Sequence, residues 1–368
     1  MQRRWLVGSL AMAALPVQAR NAASAAMAQG AGLREIAARR GIAYGCAVHT
    51  RLLRRHPAYA AAIAREAGLL VPEGEGKWDD LQPERGRFDL SGLDEILGFA
   101  ARHGQAVRGH TLVWHDVLPR WVRQDGLTPA SAEATLLEHI AGVLARTSGR
   151  IADWDVVNEA IADPDVLPGQ DLRDSIWFRV LGERYLDIAF RAARRADPAV
   201  RLVLNDHGLE PSWARADEKR ARMLRTLRGM LARGVPVQAV GIQAHMALDQ
   251  PFAPPPFARF LRELRGMGLD VLLTEHDVIE PTGVKLREED IPARDAAVAE
   301  RAHAVVSTAL AEGCRTVLTW GLADPFSWLN LWRPAVRPDG AQVRALPLDA
   351  ELRRKPMWHA LARAFEGG

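Results

Sequence analysis

Short apolar runs alternate with longer segments of helical period along most of this chain. Residues 42–48 (IAYGCAV), 68–73 (GLLVPE), 105–114 (QAVRGHTLVW) and 151–159 (IADWDVVNE) are runs of strand length, as are 201–206, 237–245, 269–275 and 314–321. A strand buried on both faces reads this way, as the strands of a parallel sheet do. Between and after them, 55–67, 91–104, 131–147, 174–196, 214–233, 257–267, 294–312 and 356–366 read as helices. In 91–104, Leu93, Ile96, Leu97 and Ala100 share one face and Gly104 ends the run; in 294–312 the face is Val298, Ala302, Val305 and Ala309. Eight strand–helix pairs predict an α/β chain folded as one (β/α)8 TIM barrel, a single catalytic-size domain over 41–368. The Pro-rich stretch 251–256 reads as a rigid connecting loop.

In such a barrel, side chains at the C-terminal strand ends face a common mouth. Seven of the predicted strands turn polar there. Glu73 and Lys77 follow strand two; His110, Trp114 and His115 fall at strand three. Asn158 and Glu159 end strand four, Asn205 and Asp206 strand five, and Gln243 and His245 strand six. Glu275 and Asp277 end strand seven, and Trp320 ends strand eight. The stretch WDVVNEA, 154–160, shows the pattern most sharply. Trp154, Val156 and Val157 are interior residues, and Glu159 follows at once. A carboxylate in an apolar interior costs free energy unless paired or protonated, so Glu159 is expected at the barrel mouth. Glu275 arrives there the same way. Two carboxyls facing one site can divide labour, one protonated and one ionised. Glycoside hydrolysis needs that division. Indole faces such as Trp320 and Trp328 suit the apolar faces of sugar rings, and amides and imidazoles suit their hydroxyls. Trp121, Trp154 and Trp177 are expected in the core, and His103, His139 and His303, within predicted helices, have no assigned role.

Composition changes this picture little. With 48% hydrophobic and 25% charged residues the chain is of ordinary globular type. The 48 basic and 45 acidic residues are interspersed, without the basic block a nucleic-acid partner would need. The N-terminus does add something. Arg3 and Arg4 precede an apolar run too short for a membrane span, then Val17-Gln18-Ala19. This order predicts a secretory signal over 1–19, compatible with twin-arginine export, then a lead-in over 20–40. A periplasmic or extracellular protein follows, with no membrane partner. The two cysteines, Cys46 and Cys314, read as buried free thiols, with a single bridge as the alternative.

Several motifs match one family. RGHTLVWH (108–115), WDVVNEA (154–160), GIQAH (241–245), LTEHDV (273–278) and WGLADPFSW (320–328) resemble the glycoside hydrolase family 10 endo-β-1,4-xylanases. PEGEGKW (72–78), LRDSIW (172–177), DPAVRLVLND (197–206) and RKPMW (354–358) do as well, in the family's order. The resemblance implies a retaining mechanism on xylan or a related β-1,4-glycan, with Glu159 as acid/base and Glu275 as nucleophile. It implies that Asn158 binds the sugar 2-hydroxyl and that His245, backed by Asp277, holds Glu275. Lys77, His110, Trp114 and Gln243 would line the same subsite, Glu73 would reach the next sugar, and Trp320 and Trp328 would floor and flank the cleft. No cofactor, no metal and a monomer are expected. The chain departs from the family at Gly74, usually Asn, and at Val117, usually Gln. His207 stands for a common Tyr, and His276 for a usual Leu. A metal-dependent barrel hydrolase is the competing class, since several His and carboxylates gather at the strand ends, but HxH and HExxH spacings are missing. A non-catalytic sugar-binding barrel would usually lose one of the two carboxylates.

Overall fold

The computed structural model describes residues 30–368 apart from 125, 282–286 and 338–339. The expected leader, 1–19, and residues 20–29 of the expected lead-in lie outside the described residues.

The apolar runs become strands: β1 Ala43–Val48, β2 Leu69–Pro72, β3 Ala106–Val107, β4 Asp153–Asn158, β5 Arg201–Asp206, β6 Ala239–Ile242, β7 His245–Ala247, β8 Asp270–Ile279 and β9 Thr316–Thr319. They pair in the order β3-β2-β1-β9-β8-β6-β5-β4, with β7 beside β8. The first and last strands meet, Ala43 opposite Thr316. The remaining seam, between the β3 and β4 segments, is bridged at Gly109–Trp154 and Val113–Val157. The result is a nearly closed barrel of eight parallel strands, with β7 as a detached continuation of β6. The main helices that wrap it are α1 Pro57–Glu66, α2 Ser91–Arg102, α3 Pro129–Thr147, α4 Arg184–Ala196, α5 Ala214–Ala232, α6 Pro254–Gly266, α7 Ile291–Ala311 and α8 Pro356–Glu366. The helix Leu33–Ala38 precedes β1, and the compact unit runs Leu33–Gly368.

Three departures from the pattern reading have local causes. Strand three was expected over 105–114, but regular pairing stops at Val107. Beyond it the chain presses on β4: a Cβ on Gly109 would lie 2.0 Å from the Trp154 ring, so only glycine allows this approach. The helix expected over 174–196 is two, Ile176–Leu181 and α4, parted at Gly182 with φ +61°. Strand seven runs on past 275 to Ile279, carrying Asp277 into the ladder with β7.

The core lies inside the barrel and under the helices. Ala47, Leu69, Val71, Leu318 and Trp320 form one cluster below the mouth. Arg108 is fully buried against Asp155, and its Nε lies 2.7 Å from Asp153 Oδ1. Such a pair is stable in a low dielectric only with several hydrogen bonds per ion. Trp154 and Trp177 are buried, whereas Trp121 is only half-buried. His139 is buried and stacks on Trp78 at 3.7 Å. Cys46 and Cys314 are both free and buried.

Candidate active site

The strand ends open into a cleft of about 620 Å³, lined by Lys77, His110, Trp114, Asn158, Glu159, Gln243, His245, Glu275, Trp320 and Trp328, among others. Of the residues singled out at the strand ends, Glu73, His115, Asn205, Asp206 and Asp277 are not in its lining. Asp277 lies behind His245, and Glu73 sits half-buried after β2, where burial pushes its carboxyl above the ordinary value.

Glu159 follows the last residue of β4. Its backbone is left-handed, φ +55°, which costs a non-glycine residue about 1–3 kcal/mol. Its N–H is retained by the carbonyl of Asn205 at 2.7 Å. The turn brings the carboxylate across the mouth. There Oε2 accepts from Trp114 Nε1 at 3.0 Å and Oε1 from Gln243 Nε2 at 3.1 Å. Trp114 is itself braced: Trp177 Nε1 donates to its carbonyl at 2.9 Å, and Lys77 Nζ stands 5.2 Å from its ring centre.

Burial pushes the Glu159 carboxyl up, but His207, Gln243, His115 and Trp114 together hold it down at about 2. Two of these four act only when charged. Burial, reinforced at His207 by Lys219, pushes both imidazoles below their ordinary value. Near neutrality they carry no charge, so the two neutral donors hold the carboxylate alone.

Glu275 lies within β8 and is 4% exposed. Oε1 accepts from Asn205 Nδ2 at 2.8 Å, and Oε2 lies 3.3 Å from His245 Nε2. The other His245 nitrogen is 2.9 Å from Asp277 Oδ1, and Trp328 Nε1 donates to Asp277 Oδ2 at 2.8 Å. Burial alone would push the His245 ring down; Asp277 and then Glu275 hold it well above its ordinary value. The protonated ring donates from both nitrogens and places positive charge against Glu275.

The two carboxylates belong to one network. Asn205 Nδ2 donates to Glu275 and, at 2.8 Å, to Asn158 Oδ1. Gln243 Nε2 lies 3.3 Å from the same Asn158 oxygen and reaches Glu159. His110 is held from the barrel side by Asp155, Nδ1 to Oδ2 at 2.9 Å.

Asn205 is the residue that pattern reading passed over. It was visible as a polar strand end, but its role arises only where β4, β5 and β8 converge. Asp155, Trp213 and Trp332 were also missed, and His207 was named as a departure from the family without a sugar-binding role. Trp213, His207 and the half-exposed Trp332 line the cleft, and Trp332 packs on Trp328 with ring centres 5.0 Å apart. Among the described residues no cluster of three or more His, Cys, Asp or Glu is arranged to hold a metal ion. No helix among them is long and apolar enough to cross a membrane.

Comparison with known proteins places this site in context. Residues 32–364 match the model of glycosyl hydrolase family 10. The chain is 31% identical over 345 residues to Endo-1,4-beta-xylanase 1 of Humicola insolens, spanning 92% of this chain and 75% of that one. It is 33% identical over 288 residues to the Beta-1,4-xylanase of Dictyoglomus thermophilum, spanning 76% and 78%. Among solved structures, native xylanase 10B from Thermotoga maritima superposes with a TM-score of 0.81 at 30% identity, covering 91% of this chain and 98% of that one. Xylanase 10B from Thermotoga petrophila RKU-1, solved in complex with xylobiose, gives 0.82 at 29% identity, covering 92% and 98%.

Proposed function

This chain belongs to glycosyl hydrolase family 10, and from that premise we propose that it is a retaining endo-β-1,4-xylanase with Glu159 as acid/base and Glu275 as nucleophile. One observation carries the assignment. Two carboxylates, one just past the end of β4 and one on β8, meet in one cleft and share a hydrogen-bond network through Asn205, Asn158 and Gln243.

In the first step Glu275 attacks the anomeric carbon while Glu159 gives its proton to the departing oxygen, leaving a glycosyl ester on Glu275. In the second, Glu159 takes a proton from water, the water oxygen attacks the same carbon, and Glu275 leaves as carboxylate. Glu159 must therefore be protonated in the bound complex, although its donors hold it low in the open cleft. A bound sugar expels water and strengthens the repulsion from ionised Glu275, and both raise it. Once the ester forms, that repulsion is gone and Glu159 returns to a base. Asn158 holds the sugar 2-hydroxyl, and His245, set by Asp277, keeps Glu275 aimed. Lys77, His110, Trp114 and Gln243 bind the sugar at the cleaved linkage, Glu73 meets the next one, and Trp320 and Trp328 provide apolar faces. No cofactor takes part. Hydrolysis of a panel of β-1,4-linked polysaccharides, with products sized by chromatography, tests the reading. Internal cleavage of xylan supports it; inactivity on every β-1,4-glycan contradicts it.

The outer glycone side is unusual. Gly74 and Val117 remove two side-chain amides that the family commonly has. A Cβ on Gly74 would meet nothing nearer than 3.8 Å, so the backbone there admits a residue with a Cβ. Val117 holds φ +49°, which a β-branched residue tolerates poorly. The double change Gly74→Asn with Val117→Gln is therefore expected to fold. It should raise kcat/KM on xylotriose by on the order of tenfold, from two hydrogen bonds at about 0.5–1.5 kcal/mol each. A decorated polymer should gain less, and equal gains would argue against this account of the cleft.

Residues 1–19 are proposed as an export signal, 20–40 as a lead-in and 41–368 as the catalytic barrel, which acts as a monomer outside the cytoplasm on a polysaccharide and not on nucleic acid or membrane. Mass spectrometry of exported protein is expected to find an N-terminus at or near Arg20. An intact Met1 on active cytoplasmic protein would contradict this.

A further inference from the structure

Gln243 donates to Glu159, His245 contacts Glu275, and a single residue separates them. That residue, Ala244, is fully buried and left-handed at φ +60°. Residues with a Cβ enter this region only where the surroundings impose it. The barrel ladder breaks at the same place. Ile242 pairs with Leu273 and His245 with Asp277, so three steps along one chain face four along the other. Such a bulge re-aims the side chains beside it.

Side chains take up both peptide groups of Ala244. Its N–H donates to Glu210 Oε1 at 2.7 Å, and its carbonyl lies 2.8 Å from His276 Nδ1. A carbonyl only accepts, so His276 carries a proton on Nδ1. Glu210 comes from the segment after β5 and His276 from β8, the two neighbours of β6. Ala244 is thus gripped from both sides. Glu210 and His276 are both fully buried and outside the cleft lining. Among the described residues, Glu210 Oε2 and His276 Nε2 find no hydrogen-bond partner. Each residue keeps a buried polar atom unpaired, a cost that an apolar side chain would avoid. What each supplies is its bond to Ala244. At 276 the alternative is concrete, because the Leu usual in the family offers no donor.

We infer that Glu210 and His276 are positioning residues: by clamping the Ala244 peptide they fix the directions of Gln243 and His245, and through these the two carboxylates. This rests on the roles proposed for Glu159 and Glu275. Charge is not the device. Burial pushes His276 below its ordinary value and Glu210 above, so both tend to neutrality, and what acts is hydrogen-bond geometry.

The test is a series at position 276 measured beside the wild type on xylan. His276→Leu keeps the bulk and removes the donor. It is expected to lower kcat by about tenfold to a hundredfold, as small misplacements of catalytic groups do, with KM nearly unchanged. His276→Asn sets an amide nitrogen near the place of Nδ1 and should restore most of kcat; His276→Gln sets it near Nε2 and should not. NMR titration of His245 gives a readout that needs no substrate: its elevated pKa should fall in His276→Leu and persist in His276→Asn. Wild-type levels of kcat and His245 titration in His276→Leu would overturn the proposal. So would indistinguishable Asn and Gln variants, a comparison that still decides if the Leu variant fails to fold. So, too, would a loss of kcat that only follows the folded fraction. A wild type inactive on xylan contradicts the functional assignment instead, and the His245 titration then judges the clamp alone.

Discussion

Glu275→Ala is expected to bind xylo-oligosaccharide and not to turn it over, with kcat lower by on the order of 10⁵–10⁶-fold, the scale seen when a covalent nucleophile is removed. Binding should survive because Glu275 is one acceptor in a cleft whose other polar groups keep partners. His245 retains Asp277, and Asn205 retains Asn158 and its bond from Thr274. Azide enters the space the carboxylate leaves. With an aryl β-xylobioside, whose phenolate departs without much acid assistance, azide attacks from the nucleophile's side and gives an α-glycosyl azide in one inversion. Isothermal titration measures the retained binding, and NMR reads the azide product. Turnover above about one hundredth of wild type, or a β-azide, would remove Glu275 from the nucleophile's role.

Glu159→Ala is expected to lose about 10²–10⁴-fold in kcat on xylan, where leaving-group protonation matters. On the same aryl glycoside the first step should hardly slow. The second should, because no base activates water, and the glycosyl-enzyme should accumulate after a burst of phenolate. Azide needs no base. It attacks the accumulated ester from the face opposite Glu275 and gives a β-glycosyl azide, the product of two inversions. The two variants thus return opposite azides from one substrate. That contrast is specific, because general destabilisation would change both rates and neither configuration. If Glu159→Ala gives no burst and no azide rescue, the acid/base is another residue.

The legible parts of this site are those where chemistry interrupts a pattern. β4 was readable because Trp154, Val156 and Val157 are interior residues and the next two are polar, and β8 because Glu275 closes an apolar run. The barrel followed from counting such runs. Less legible were features made by contacts between strands distant in sequence. Asn205 looks like any polar strand end until β4 and β8 bring Asn158 and Glu275 to its amide. The early end of regular pairing in β3 depends on Gly109 lying against Trp154, and nothing in QAVRGH announces the partner. Gly182 could have signalled the helix break, since a glycine inside a helical pattern weakens it. Ala244 carries no signal. Alanine is a helix and core residue by type, and the side chains that bond its left-handed peptide, Glu210 and His276, lie 34 positions before it and 32 after.

In the proposed mechanism one carbon is inverted twice, first by Glu275 and then by water activated by Glu159. Proton NMR of the anomeric signals during the first minutes of xylo-oligosaccharide hydrolysis measures this most directly, before mutarotation mixes the anomers. The new reducing end is expected to appear as the β anomer, with α accumulating only later. Initial release of the α anomer would contradict it.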